Sequence, residues 1–281
     1  MTRLRQVIDA AEVALTEAGV GSPRTDAELL AAHVAGIDRG RLAFAETGPE
    51  FRDRYDGLIA QRAKRIPLQH LTGTAAFGPV TLSVGPGVFI PRPETELLLE
   101  WATTQQLSAT PTIVDLCTGS GALALALSNK WPDARVIAVD DSDAALKYAR
   151  RNFAGTPVEL IKADVTAPGL LAELDGQVDL IVANPPYIPD GAELEPEVAE
   201  HDPAHALFGG PDGMAVIDSI VAHAALLLRD NGRCAVEHDD TTSARTVEAF
   251  TRTGQFVDVI PRHDLTGRPR FVTATRERLT P

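Results

Sequence analysis

Apolar positions open the chain at helical spacing. Leu4, Ile8, Ala11, Leu15 and Ala18 fall four, three, four and three residues apart, on one face of a helix, and Gly19 and Gly21 end the pattern. Thr25-Asp26-Ala27-Glu28 has the form of a capping box ahead of the apolar run 29–32, so a second helix is predicted to start there. A further helical pattern covers about 50–65 and stops at Pro67, whose ring and missing N–H cannot continue a helix. Residues 1–73 thus read as a small helical domain. Its basic cluster Arg62, Lys64 and Arg65 reads as a solvated helix face.

From 74 to 90 the period shortens. Gly78-Pro79 and Gly85-Pro86-Gly87 punctuate Val80-Thr81-Leu82-Ser83-Val84, which is hairpin chemistry in a linker. Ile90-Pro91-Arg92-Pro93-Glu94-Thr95-Glu96 then leads into a helical pattern at 97–101. Its prolines stiffen the segment, and Glu94 and Glu96 suit the first turn of a helix. Beyond Pro111, apolar runs at 112–116, 135–139, 158–161, 178–183 and 233–237 alternate with helical stretches at 121–130, 142–153 and 215–228. Near-continuous apolar strands separated by helices predict a parallel sheet covered on both faces. The segments 255–260 and 271–275 read as two further strands, antiparallel at the sheet edge. Residues 91–281 are therefore expected to form one α/β domain.

Composition narrows the function classes. The 281 residues are 44% hydrophobic and 23% charged, which excludes a disordered or fibrous chain. Two cysteines, Cys117 and Cys234, provide neither a disulfide framework nor a four-cysteine zinc site. The start of the chain meets Asp9 before any apolar run, unlike a signal peptide, and the apolar stretches near 122–127 and 224–228 are too short to span a bilayer. A soluble, cytoplasmic protein without membrane association is expected. The net charge is −13; residues 1–75 are balanced at ten basic and ten acidic, so the whole excess falls on the remainder. Such an acidic body disfavours a nucleic-acid substrate, whose affinity comes largely from neutralising phosphates. His201 and His205 lie four apart, but no third ligand accompanies them, and no metal site is expected.

The first strand of the α/β segment ends in Asp115-Leu116-Cys117-Thr118-Gly119-Ser120-Gly121, directly before a helix. In a doubly wound sheet such a turn faces the ligand, and Gly119 and Gly121 let the backbone approach it without Cβ clashes. Compared with a dinucleotide fingerprint, Cys117 takes the place of the first glycine and Ala124 that of the third, so a pyrophosphate loses part of its cradle. Asp115 would repel phosphate and suits a cationic ligand end. S-adenosylmethionine, with an ammonium, a sulfonium and no phosphate, fits better. Asp140 ends the second strand, where a carboxylate accepts ribose hydroxyls; adjacent Asp141 competes for that assignment. Asp164-Val165, after the third strand, lies where an adenine-contacting pair belongs. Cys117 reads as a small apolar spacer rather than a nucleophile, since no base is positioned for it.

Asn184-Pro185-Pro186-Tyr187 ends the fourth strand and is the most specific signal in the chain. Two prolines fix φ and remove two donors, so the local carbonyls present a bare acceptor surface, to which Asn184 adds a side-chain carbonyl. Together these can accept both hydrogens of a planar NH2 group and aim its nitrogen at a methyl donor, with Tyr187 bordering the plane. An amide nitrogen is a poor nucleophile. Acceptor bonds to its hydrogens raise its electron density, and fixed geometry supplies the entropic advantage.

The chain resembles the HemK/PrmC-type protein-(glutamine-N5) methyltransferases that modify class-one peptide-chain release factors. The resemblance runs nearly end to end. It rests on Arg65-Ile66-Pro67-Leu68-Gln69-His70, Gly87-Val88-Phe89-Ile90-Pro91-Arg92-Pro93-Glu94-Thr95-Glu96, the 115–121 loop, Asn184–Tyr187, Ala206-Leu207-Phe208-Gly209-Gly210 with Asp212-Gly213, and Asp264-Leu265-Thr266-Gly267-Arg268. Asn-Pro-Pro-Tyr alone is shared with adenine-N6 DNA methyltransferases, an alternative that the acidic charge opposes; a catalytically idle binding module is the remaining one. The resemblance implies a Rossmann-like class I methyltransferase domain with a mostly parallel seven-stranded sheet, a hairpin linker, and a helical domain for release-factor docking. It implies S-adenosylmethionine as cofactor and the glutamine of the Gly-Gly-Gln loop as substrate. Asp115, Cys117, Thr118, Gly119, Ser120, Gly121, Asp140, Asp164, Val165 and Asn184 would hold the cofactor. Phe89, Arg92, Glu94 and Asn184-Pro185-Pro186-Tyr187 would hold the glutamine, with Asn184, Pro185 and Tyr187 closest to the chemistry. Departures from the family pattern are Cys117 in the glycine loop, Val165 where a tryptophan is common, and Val236-Glu237-His238 where Glu-Ile-Gly is usual.

Overall fold

The computed structural model describes residues 2–277. In chain order the helices are α1 Thr2–Glu17, α2 Pro23–Ala35, α3 Phe51–Ala63, α4 Leu68–Thr72, α5 Pro93–Thr103, α6 Ala122–Lys130, α7 Asp143–Asn152, α8 Pro196–His201, α9 Ala215–Leu227 and α10 Ser243–Arg252. The strands are β1 Thr74–Phe77, β2 Val80–Ser83, β3 Thr112–Leu116, β4 Arg135–Asp140, β5 Glu159–Lys162, β6 Val178–Ala183, β7 Leu228–Glu237, β8 Phe256–His263 and β9 Pro269–Arg276. They gather into two compact units: Met1–Thr74 with Leu194–His201, and Ala75–Glu193 with Asp202–Pro281.

The first unit is helical, around a core of Leu15, Leu30, Tyr55 and Ile59. Two sequence expectations fail here. Helix α2 starts at Pro23 rather than at Thr25, with proline in its first turn and Ser22 before it making no side-chain cap. The expected capping box does not form: Thr25 already lies inside the helix, and the Glu28 carboxylate accepts from Arg24 and Arg39 instead. Asp26 is 5% exposed and turns inward to Arg62. Arg62 is likewise 5% exposed, so it is no part of a solvated face. Its Nε donates to Asp26 Oδ2 at 2.7 Å, and its Nη1 to Glu197 Oε2 at 2.9 Å and the Ile66 carbonyl at 3.0 Å. A buried guanidinium persists only when charge and hydrogen bonds are both satisfied, and α8 enters this unit carrying one of the two carboxylates.

The second unit is built on a seven-stranded sheet in the order β5-β4-β3-β6-β7-β9-β8. The first five strands are parallel; β9 runs antiparallel to both β7 and β8. Strand β6 is buried at every position, as a strand covered on both faces must be. Successive residues divide between two cores. Ile113, Leu180 and Val182 pack with α5, α6 and the β1–β2 hairpin on one face. Val114, Leu116 and Ile181 pack with α9 and α10 on the other. The tail strands are antiparallel as expected, but β9 lies inside the sheet and only β8 forms its edge. Helix α10 escaped the sequence reading, although Thr246, Ala249 and Phe250 form its buried stripe.

Candidate active site

The strand order reverses between β3 and β6, and in open α/β sheets ligands bind beyond the carboxyl ends of the strands at such a point. Register then decides what meets there. Leu116 of β3 pairs with Val139 of β4 and with Ala183 of β6, and Ala183 pairs with Val236 of β7. One step further along each strand stand Cys117, Asp140, Asn184 and Glu237, so four separate motifs end on one edge.

The loop after β3 is held open by its backbone. Cys117, Gly119 and Gly121 have φ of 61°, 58° and 90°. For cysteine this left-handed conformation costs about 1 kcal/mol, which explains why glycine suits the position. A Cβ on Gly119 would meet nothing within 4 Å, whereas one on Gly121 would lie 2.5 Å from the Phe153 ring. Gly119 therefore leaves space for a ligand and Gly121 allows close packing. Asp115 is 1% exposed and closes the loop: its Oδ2 accepts from Thr118 Oγ1 at 2.6 Å and the Ala124 amide at 3.1 Å. Its Oδ1 is buried with no hydrogen-bond partner among the described residues. Asp140 accepts from the Gly119 amide at 2.8 Å and the Ser142 amide at 2.9 Å, one per oxygen, which leaves lone pairs free on both. A residue absent from the sequence reading, Asn152 of α7, ties the loop to the hairpin by donating to the Ser120 and Ser83 carbonyls at 2.8 and 3.1 Å.

After β5, Val165 packs in the core of the second sheet face, while Asp164 is exposed and its Oδ1 accepts from the Thr166 amide and hydroxyl at 2.7 Å each. Burial pushes the Cys117 thiol well above its ordinary pKa, with Asp140 and Asp115 adding to the shift, so it is no nucleophile at neutral pH.

Burial without a counter-ion also pushes the Asp115 carboxyl up to about 7. An unfolded aspartate releases its proton near pH 4, so between about 4 and 7 the native chain binds the extra proton. Stability contributed here is present at low pH and falls as pH rises through about 7. Asp115→Asn buries no charge. Its melting temperature relative to wild type should rise between about pH 5 and about pH 8, and an unchanged difference would contradict a charged, buried Asp115.

At the end of β6, the Asn184 side chain donates from Nδ2 to Thr95 Oγ1 at 3.0 Å, and Thr95 is 3% exposed in the first turn of α5. The Tyr187 hydroxyl donates to Glu237 Oε1 at 3.0 Å. Burial raises the Glu237 carboxyl to about 7, while the neighbouring Thr95 and Tyr187 hydroxyls favour its charged form; its Oε2 is buried with no hydrogen-bond partner among the described residues. Behind this segment, the chain at 207–213 forms a tight brace. Ile188 and Gly209 exchange backbone bonds with Leu207 and Ile188 at 2.8 and 2.9 Å. A Cβ on Gly209 would lie 2.5 Å from the Pro186 carbonyl oxygen, and one on Gly213 would lie 2.2 Å from that of Tyr187. Phe89 and Arg92 lie together, the guanidinium 5.0 Å from the ring centroid and bonded to Asp202. Glu94 lies near enough to Glu237 and Arg270 to bias their ionisation. Among the described residues no group of three His, Cys, Asp or Glu side chains is placed to hold a metal, and no helix is long and apolar enough to cross a membrane.

The sequence profile described as methyltransferase small domain matches residues 81–206, and that described as PrmC N-terminal domain matches residues 6–73. A methyltransferase from Pyrococcus furiosus superposes with a TM-score of 0.55 at 18% identity, covering 78% of this chain and all of its own, a likeness of fold. Sheet order, glycine loop and family profile define a class I methyltransferase, a class that uses S-adenosylmethionine. The release factor glutamine methyltransferase of Mycolicibacterium smegmatis is 73% identical over 277 residues, covering 98% of this chain and 99% of the relative. That of Mycobacterium tuberculosis H37Rv is 65% identical over 278 residues (97% and 91% covered), and that of Deinococcus radiodurans 43% over 282 (98% and 99%). The chain belongs to the release factor glutamine methyltransferase family.

Proposed function

We propose that this protein transfers a methyl group from S-adenosylmethionine to the side-chain nitrogen of the glutamine in the Gly-Gly-Gln loop of class-one release factors. The supporting observation is the register that sets Asn184-Pro185-Pro186-Tyr187 beside the glycine loop across the switch point. The residues present fit the cofactor. Space opens at Gly119, the backbone of Cys117, Thr118, Ser120 and Gly121 borders it, and the unpartnered Oδ1 of Asp115 suits a cationic amino end. Asp140 would take the ribose hydroxyls; Asp164 and Val165 would border the adenine. The cofactor supplies an electrophilic sulfonium methyl when bound.

The chain's own residues then do the positioning. Asn184 Oδ1 and the carbonyls of the proline pair accept the two amide hydrogens of the glutamine, and Tyr187, Phe89, Arg92 and Glu94 border the side chain. These acceptors act without reorganisation, and alignment replaces the need for a strong base before attack. The helical unit docks the body of the release factor, in the cytoplasm, where the protein carrying the loop is found. The test is mass spectrometry of the loop peptide after reaction of a release factor with methyl-labelled S-adenosylmethionine. One methyl group on the loop glutamine is expected, and label retained when that glutamine is replaced would overturn the reading.

A further inference from the structure

We infer that Asn152 of α7 is a positioning residue for the cofactor, fastening the loop that opens at Gly119 to the end of β2. This rests on the proposal that the loop holds S-adenosylmethionine. The loop needs an outside hold, because Cys117, Gly119 and Gly121 all stand at positive φ. Backbone of that kind keeps its shape only where the surroundings impose it. Asp115 secures Thr118 and the Ala124 amide, to either side of Ser120. The Ser120 carbonyl itself is held by Asn152 Nδ2, at 2.8 Å.

Asn152 can be seated only one way. Its Oδ1 accepts from the Ser83 amide at 2.8 Å, and its Nδ2 donates to the Ser83 carbonyl at 3.1 Å as well as to Ser120. Turned over, the amide would set its NH2 against an N–H and its oxygen against two carbonyls. Three backbone groups therefore dictate its orientation, and both Nδ2 hydrogens are used. The anchor on the far side is firm. Ala144, Tyr148 and Asn152 are spaced four apart, on one face of α7, and that face runs along residues 83–87. A Cβ on Gly85 would lie 2.4 Å from the Tyr148 hydroxyl, and one on Gly87 would lie 3.2 Å from the Ala144 Cβ. Next to Asn152, Phe153 closes against Gly121. The end of α7 thus forms the floor of the loop, bonded at Ser120 and packed at Gly121. The start of the same helix follows Asp140, which accepts from the Gly119 amide, so one element sets both ends of the turn.

The experiment measures S-adenosylmethionine affinity by calorimetry on the cofactor-free chain, for wild type, Asn152→Ala, Asn152→Asp and a control, Lys147→Ala, on the exposed side of α7. Asn152→Ala removes all three bonds and is expected to weaken binding about 10-fold, the scale of one or two hydrogen bonds. Asn152→Asp keeps the size of the side chain and the acceptor for the Ser83 amide, but brings no donor to the two carbonyls. It is expected to lose at least as much, and it serves alone should Asn152→Ala not fold. Lys147→Ala is expected to match wild type. In steady state the KM for S-adenosylmethionine should rise in step with the dissociation constant, while kcat at saturating cofactor stays within about threefold. A merely structural role would do the reverse, lowering the active fraction at unchanged cofactor affinity. That result, or a folded Asn152→Asp chain that binds the cofactor within twofold of wild type, overturns the inference. A wild-type chain that binds S-adenosylmethionine but labels no release factor overturns the substrate reading and leaves the role of Asn152 standing on affinity. One that binds no S-adenosylmethionine overturns both.

Discussion

Asn184→Ala should abolish measurable glutamine methylation while the protein remains folded and still binds S-adenosylmethionine. The expected loss in kcat is about 1,000-fold, or roughly 4 kcal/mol of transition-state stabilisation, the range found when one preorganised hydrogen-bond partner is removed. The size follows from the chemistry. Amide resonance must be weakened as the nitrogen attacks, and the charge that develops on its hydrogens is met by acceptors that are already in place. Alanine removes the side-chain acceptor and leaves only backbone carbonyls. Stability should change little, since Asn184 is half-buried and makes a single described side-chain hydrogen bond, to Thr95. Single-turnover rates with saturating cofactor and calorimetric cofactor affinity check the two halves of this expectation. A rate within tenfold of wild type would remove Asn184 from the chemistry.

Gly213→Ala should have the second largest effect, without touching the substrate. Gly213 has φ of 77°, and its missing Cβ leaves room for the Tyr187 carbonyl oxygen, which a methyl group would approach to 2.2 Å. Neither atom is the loose end of a side chain, so backbone must move. The strand-end segment carrying Pro185 to Tyr187 would shift, and a displacement on the order of 1 Å at a reacting group costs about 100-fold in rate. A loss of about 2–4 kcal/mol in stability should accompany it. Gly191→Ala is the control. Its φ of 80° imposes the same left-handed strain, but nothing lies within 4 Å of the added methyl. If both variants lose activity equally, the brace behind Tyr187 is not what matters.

Much of the second unit was legible because a parallel sheet writes itself into sequence as continuous apolar runs, and β3 and β6 fall where those runs do. The glycine loop and Asn-Pro-Pro-Tyr were legible because each depends on local backbone properties. What sequence could not show were pairings across long separations. Asp26 and Arg62 each looked local, one in a capping box and one in a charge run; 36 residues apart, they are a single buried pair. Thr95 and Glu237 stood in plain view inside recognisable segments, but only the start of α5 and the sheet register bring Thr95 to Asn184 and Glu237 to Tyr187. For the pair after β5, the sequence could not show that Val165 packs into the core or that Asp164 Oδ1 accepts from the Thr166 amide and hydroxyl.

The position of β9 has a consequence for how the chain reaches this state. The last strand described is interior to the sheet, flanked by β7 and β8, so β7 lacks a neighbour until residues 269–276 have been synthesised. Until then an emerging polypeptide presents an unpaired edge immediately next to the strand that bears Glu237, the kind of template on which other chains aggregate. A message truncated near its end would therefore yield a product that is sticky as well as inactive.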